Sequence, residues 1–332
     1  MKKYVLIFIS GCIAASFYYA DTLRVIANSD ARPYACMIAD SINNQIVMFG
    51  GGLDYQETNA VWSLNMTTEE WKPLYPSGAV VYCRAQASAV YYPDSNAMIL
   101  IGGRDFQLYF DQVFLLKLLP GAETWRHITI SGSNPTPRRA FASCVWDRLN
   151  NRLIYFGGEY NSAYLNNIWS LNLNDWSWSL ITPTGAPPSG RCGHSAIYDQ
   201  ADQRMIVFGG CNSGIYNNEV WALNLYPDSA SWFLLSPSGS PPGPRGWHFS
   251  TYDPLRNGMV VGFGSGPDTL YNDAWILTLN PLQWTCILIE GPKPRQGSCS
   301  AYNYLNHEII INSGGHYQDT YSLKPNLIRI DK

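Results

Sequence analysis

Residues 191–224 read RCGHSAIYDQADQRMIVFGGCNSGIYNNEVWALN. Residues 191–198 and 204–208 are short, apolar and β-prone, and the second run closes on Gly209-Gly210. Residues 219–224 alternate apolar and polar, as do residues 231–235 (SWFLL), the period of half-buried strands. Turn chemistry fills Asp199–Gln203, Cys211–Asn218 and Leu225–Ala230. The stretch SPSGSPPGP at 236–244 cannot continue a strand. Four short strands with no helical period form one antiparallel sheet.

The same block recurs along the chain. Arginines open successive copies at Arg32, Arg84, Arg138, Arg191, Arg245 and Arg295, 50 to 54 residues apart. Eighteen or nineteen residues on, an apolar run ends in a glycine pair: Gly50-Gly51, Gly102-Gly103, Gly157-Gly158, Gly209-Gly210 and Gly314-Gly315, with Phe263-Gly264 in the fifth copy. An aromatic follows at Trp62, Phe114, Trp169, Trp221, Trp275 and Tyr321, then a tryptophan at Trp71, Trp125, Trp178, Trp232 and Trp284. A period near fifty with these marks predicts one propeller blade per copy.

The Arg-x-x-His openings (Arg191 to His194, Arg245 to His248), the glycine doublets and the Asn217–Trp221 and Asn272–Trp275 stretches resemble the kelch repeat family, over roughly residues 22–324. The resemblance implies an all-β fold, a six-bladed β-propeller of four-stranded antiparallel blades with the first strand of each repeat nearest the axis. The recurring tryptophans are read as packing between adjacent blades. Leu23–Ala27 precedes the first arginine as residues 125–129 precede the third. The N-terminal strand is therefore expected to complete the sixth blade, with 327–331 as the competing candidate.

Lys2 and Lys3 ahead of an apolar stretch to about Phe17 read as a secretory signal over residues 1–20, leaving 21–332 as the propeller. Soluble export is the expectation; Ile9-Ser10-Gly11-Cys12 resembles a lipobox, so a lipoprotein anchored at Cys12, or a retained anchor, stays open. No stable membrane span is expected once the signal is removed. A net charge of −3, with 14% charged residues and no basic stripe, argues against a nucleic-acid partner.

Connections from fourth to first strand and from second to third strand share the face carrying the opening arginines. Its variable loops hold Tyr55, Arg104, Asp105, Glu159, Tyr160, Asn212, His316 and Tyr317, residue types suited to protein or carbohydrate recognition on a rigid scaffold. Arg104 and Arg139 stand outside the repeat pattern and join that set. The six opening arginines are read as a structural ring that hydrogen-bonds turn carbonyls. His194 and His248 are read as core histidines, and no metal or cofactor is expected.

Kelch propellers also include a copper-radical galactose oxidase and a sialic-acid mutarotase, which keeps a carbohydrate-active enzyme as the alternative. No G-x-S-x-G, H-E-x-x-H or P-loop motif supports catalysis. The expectation is a monomeric binding module. Cys192 and Cys211, each one residue beyond a landmark on neighbouring strands, are expected to lie within disulfide reach.

Overall fold

The structure is a computed structural model that describes residues 17–28, 32–52, 56–135, 137–226, 229–328. These residues form six blades and no α-helix; one 3₁₀ turn spans Pro93–Ser95. Blade 4 shows the plan. Its strands Ser195–Asp199, Arg204–Phe208, Val220–Tyr226 and Ser229–Leu235 pair antiparallel in sequence order. Blades 1, 2, 3 and 5 repeat it from first strands Cys36–Asp40, Ser88–Tyr92, Ser143–Asp147 and Phe249–Asp253. The first strands neighbour one another in cyclic order, so they line one axis.

The first strand of blade 4 begins four residues later than the β-prone run suggests. Gly193, two residues past Arg191, has φ +62, and its equivalents Tyr34, Gln86, Phe141, Trp247 and Gly297 also have positive φ. This left-handed step turns the chain into the first strand, so the arginine sits in the turn rather than in the sheet.

Closure follows from sheet order. Cys299–Asn303, Glu308–Gly314 and Tyr317–Ile328 supply three strands of blade 6, and Phe17–Asn28 supplies the fourth. Leu23 pairs with Leu323 and Val25 with Tyr321. Leu327 and Ile328 extend the third strand instead of competing for the edge, pairing with Tyr18 and Phe17. Tyr18 and Tyr19 also run parallel to Ile287 and Leu288 of blade 5, which joins blades 5 and 6 in one eight-stranded sheet. Residues 17–20 of the segment read as an export signal are thus strand; residues 1–16, including Cys12, lie outside the described residues.

There are six cores, one between each pair of neighbouring blades. Trp125, Trp178, Trp232 and Trp284 from fourth strands are almost fully buried. They pack on the preceding blade: Trp125 on Phe49, Trp232 on Phe156 and Trp284 on Phe208, with centroids 5.3, 5.1 and 5.0 Å apart. Each such ring removes roughly 150–250 Å² from water, an upper estimate of about 4–6 kcal/mol. Blade 6 has no such tryptophan, and Trp71 of blade 1 instead donates its Nε1–H to Thr320 Oγ1 at 3.0 Å.

The arginines tie each turn to its blade. Arg84, Arg139, Arg191 and Arg245 are buried and donate Nη1–H to the carbonyl eighteen residues on: Gly102, Gly157, Gly209 and Phe263, at 3.0–3.1 Å. The third member is therefore Arg139 and not Arg138. Only Arg139 stands eighteen residues before its doublet and two before the left-handed Phe141; Arg138 is exposed and pairs with Asp111. A second acceptor comes from the residue two before each third-strand aromatic. Gln112, Asn167, Glu219 and Asp273 bind at 3.0, 2.7, 2.9 and 2.6 Å, and Asp319 binds the buried Arg295. Blade 1 has Ala60 there, and its Arg32 stays half-exposed and donates to the Gln56 carbonyl at 3.1 Å.

Candidate functional site

The residues two past each arginine meet around the axis. Gln86 N–H donates to Tyr34 C=O, Phe141 to Gln86, Trp247 to Gly193, Gly297 to Trp247 and Tyr34 to Gly297, at 2.8–3.0 Å. This near-continuous circle of backbone bonds fixes the side chains of Tyr34, Gln86, Phe141 and Trp247 at the axial mouth. Glycine at 193 and 297 makes room for them: a Cβ at Gly193 would stand 2.9 Å from Trp247 Nε1, and one at Gly297 2.9 Å from the Tyr34 ring.

The mouth has an aromatic floor. Tyr34 and Phe141 meet edge to face at 5.6 Å, Phe141 and Trp247 at 6.0 Å, and Tyr216 and Trp247 at 5.9 Å. Burial pushes the Tyr34 phenol up to about 12, so it stays a neutral donor at physiological pH. Gln86 Oε1 and Trp247 Nε1 are buried without a hydrogen-bond partner among the described residues. Unpaired buried polar atoms are uncommon in native proteins.

Charge at the mouth is internally balanced. Arg104 Nη1 lies 3.4 Å from Glu159 Oε1, and Tyr109 O–H donates to the same oxygen at 3.1 Å. Tyr160 packs edge to face on Tyr109 at 5.2 Å. Of the loop residues picked from sequence, these three, Arg104, Glu159 and Tyr160, come together. The others separate. Asp105 accepts from the backbone N–H of Gln107 and Leu108 and so shapes its own loop. Asn212 donates to Gly190 C=O at 2.7 Å. Tyr317 stacks on Arg295, 4.3 Å from the guanidinium, and His316 is exposed. Tyr55 lies outside the described residues. Arg139, read as a binding candidate outside the repeat pattern, is a buried tie of blade 3.

Sequence reasoning missed Tyr34, Gln86, Phe141 and Trp247. Their common offset from the arginines was the available signal, and choosing Arg138 in place of Arg139 broke its phase. The buried arginines place no cationic ring at the mouth: their guanidiniums are used inside the blades, and burial lowers Arg84 to about 10.

Histidines sit between blades. His194 Nε2 and Ser143 Oγ are 2.9 Å apart, and His248 Nε2 and Ser195 Oγ 2.7 Å. Burial, reinforced by Arg191, lowers His194 to about 3; burial and Arg245 lower His248 well below its usual value. Cys192 and Cys211 exchange both backbone hydrogen bonds, and their sulfurs lie 3.7 Å apart as thiols. No helix among the described residues is long and apolar enough to cross a membrane.

Six closed blades with a rigid, aromatic axial mouth define a propeller of the interaction-module class. The chain belongs to the kelch-repeat family: the KLHDC2/KLHL20/DRC7 Kelch-repeats domain matches residues 35–200 and 150–326. It is 31% identical over 225 residues to the Dynein alpha chain, flagellar outer arm, of Chlamydomonas reinhardtii, covering 61% of this chain and 5% of that protein. It is 30% identical over 186 residues to the Host cell factor homolog hcf-1 of Caenorhabditis elegans, covering 51% and 23%. Putative adagio-like protein 2 of Oryza sativa subsp. japonica is 31% identical over 229 residues, covering 67% and 35%. The chain thus spans between 5% and 35% of the length of these relatives.

Proposed function

We propose that this propeller binds a protein ligand through the axial mouth on the arginine face. The observation that carries the reading is the aromatic floor of Tyr34, Phe141 and Trp247 beside the unpartnered Gln86 Oε1 and Trp247 Nε1. An extended peptide supplies both an amide donor and a carbonyl acceptor, and aromatic anchors dominate binding energy in such interfaces. The Arg104–Glu159 pair adds orientation while leaving the mouth without net charge. Affinity capture and titration with the purified propeller test this. Tyr160→Ala and Trp247→Ala should each weaken the captured partner tenfold or more, with Leu149→Ala on the opposite face as the neutral control. Loss confined to Leu149→Ala would place the interface on the wrong side. A glycan array on the same protein separates a carbohydrate ligand from a polypeptide.

The leader-like residues 1–20 support export as the setting for this binding. In an oxidising compartment the Cys192 and Cys211 thiols give up two protons and two electrons to a disulfide donor and close a bond beside the mouth. Non-reducing peptide mapping of the exported protein should recover residues 192 and 211 in one linked species. Two free thiols there would remove the bond.

A further inference from the structure

A second site, independent of the mouth, lies at the far end of the first strands. The residue before the last of each first strand is Tyr91, Trp146, Tyr198, Tyr252 or Tyr302 in blades 2 to 6, and Ala39 in blade 1. The rings fill the space between their own blade and the preceding one. Tyr91 O–H donates to Asp40 at 3.2 Å and Tyr198 O–H to Asp147 at 2.7 Å, each carboxylate belonging to the preceding blade. The residue five further on supplies another acceptor: Asn96 Oδ1 for Tyr91 and Asn257 Oδ1 for Tyr252, at 3.1 and 2.7 Å.

At the junction of blades 6 and 1 this arrangement is present without the ring. The position facing Ala39 from blade 6 is Asn303, which is only 3% exposed. Its Oδ1 accepts from Leu305 N–H at 2.9 Å, which fixes the amide, and its Nδ2 has no partner among the described residues. Asn44 stands five beyond Ala39; its Nδ2 donates to Thr67 Oγ1, leaving Oδ1 in the role of Asn96 Oδ1. Ala39, Asn44 and Asn303 line a cavity of about 270 Å³, walled by Ile46 and Met66 with exposed Tyr304 and Leu305 at its rim. That volume is several times the roughly 30 Å³ share of one water and below the roughly 300–1,000 Å³ of drug-sized pockets. It suits one ring.

We infer that the Ala39 cavity is a binding site for a phenol group, seated as the missing tyrosine ring would be. Its oxygen accepts from Asn303 Nδ2 and its hydroxyl hydrogen goes to Asn44 Oδ1, while Ile46 and Met66 cover the ring. An aspartate at 303, as at positions 147, 199 and 253, would offer only an acceptor; the amide gives a donor and so suits an oxygen brought by a ligand. The shared chemistry has two sources, a free phenolic compound or the tyrosyl side chain of a polypeptide.

The test uses the full chain with 4-methylphenol as probe, followed by saturation-transfer NMR and calorimetric titration. The expected result is saturable binding at millimolar concentration, with toluene at least tenfold weaker. Ala39→Tyr should fill the cavity, raise the melting temperature and abolish binding; Asn303→Ala should erase the preference over toluene. N-acetyltyrosinamide binding as well as 4-methylphenol assigns a polypeptide source, and its exclusion a free phenol. Equal affinity for toluene in the unmodified protein, or unchanged binding in a folded Ala39→Tyr variant, would overturn the site.

Discussion

The junction of blades 3 and 4 and the junction of blades 6 and 1 follow one plan with different parts. At the first, Arg191 has its acceptor in Glu219, Tyr198 meets Asp147, and His194 meets Ser143. These three groups are met by the neighbouring blade or by their own, while His194 Nδ1 and Trp232 Nε1 have no hydrogen-bond partner among the described residues. At the second, Arg32 finds Ala60 where an acceptor should stand, Ala39 replaces the ring, and Asn303 keeps an unpaired amide. The core there is rich in methionine, with Met37, Met48 and Met66, side chains that fill irregular gaps. A ring of repeats is stabilised interface by interface, so the junction beside the blade built from both ends of the propeller can be the least complete without opening the others. Asn303 Nδ2 is left there as a spare donor.

The sharpest way to break the comparison is to remove the arginine from both junctions. Arg191→Ala strips the Gly209 carbonyl of its buried donor and the part-exposed Glu219 carboxylate of its partner, and should cost about 2–3 kcal/mol, the upper part of the range for leaving a buried acceptor unsatisfied. Arg32→Ala should stay within about 0.5 kcal/mol, as for a surface change. Urea unfolding of both variants measures the difference, and equal losses would show that the two arginines do the same work.

Acid should act on the complete junctions next. His194 is neutral when folded, because burial and then the charge of Arg191 lower its pKa to about 3, and it regains an ordinary value near 6.5 on unfolding. Protons therefore bind the unfolded chain first. The stability tied to the neutral ring is intact above the unfolded value and is lost as pH falls below it, by about 2 kcal/mol between pH 7 and 5. The unfolding free energy of His194→Gln, followed over that range, should fall by that much less than that of the unmodified protein. Parallel curves would contradict the assignment.

The smallest effect comes from repairing the incomplete junction. Ala60→Asp supplies Arg32 with the acceptor the other blades have and should add about 0.5–1 kcal/mol, read as a rise in melting temperature. No change would mean that Arg32 is held by its loop rather than released by a missing partner.

The blades, their number and their closing strand were legible in the sequence, because glycine doublets and tryptophans recur in phase and each mark reports a backbone or packing need. The mouth was legible only in part. Arg104, Glu159 and Tyr160 could be picked as loop residues, whereas Phe141 and Trp247 look like ordinary strand aromatics until their left-handed backbone turns them to the axis. The arginine partners at 112, 167, 219, 273 and 319 vary among amide and carboxylate, so no single letter repeats; what repeats is an acceptor. The Ala39 cavity is written as a small residue in place of a ring, and its meaning appears only when the blades are superposed in register.

The strand Phe17–Asn28 gives the order of assembly a consequence. It is made before blades 1 to 5, yet its partner Tyr317–Ile328 is made after them, so the ring can lock only once all six blades are made. The two stretches of that strand do different jobs. Leu23–Asn28 supplies the outer edge of blade 6, while Tyr18 and Tyr19 stitch that edge to Ile287 and Leu288 of blade 5. Proteolytic removal of residues up to Ala20 would cut the stitch and keep the edge. Such a cut would leave a ring still closed at blade 6, with blades 5 and 6 no longer joined in one sheet.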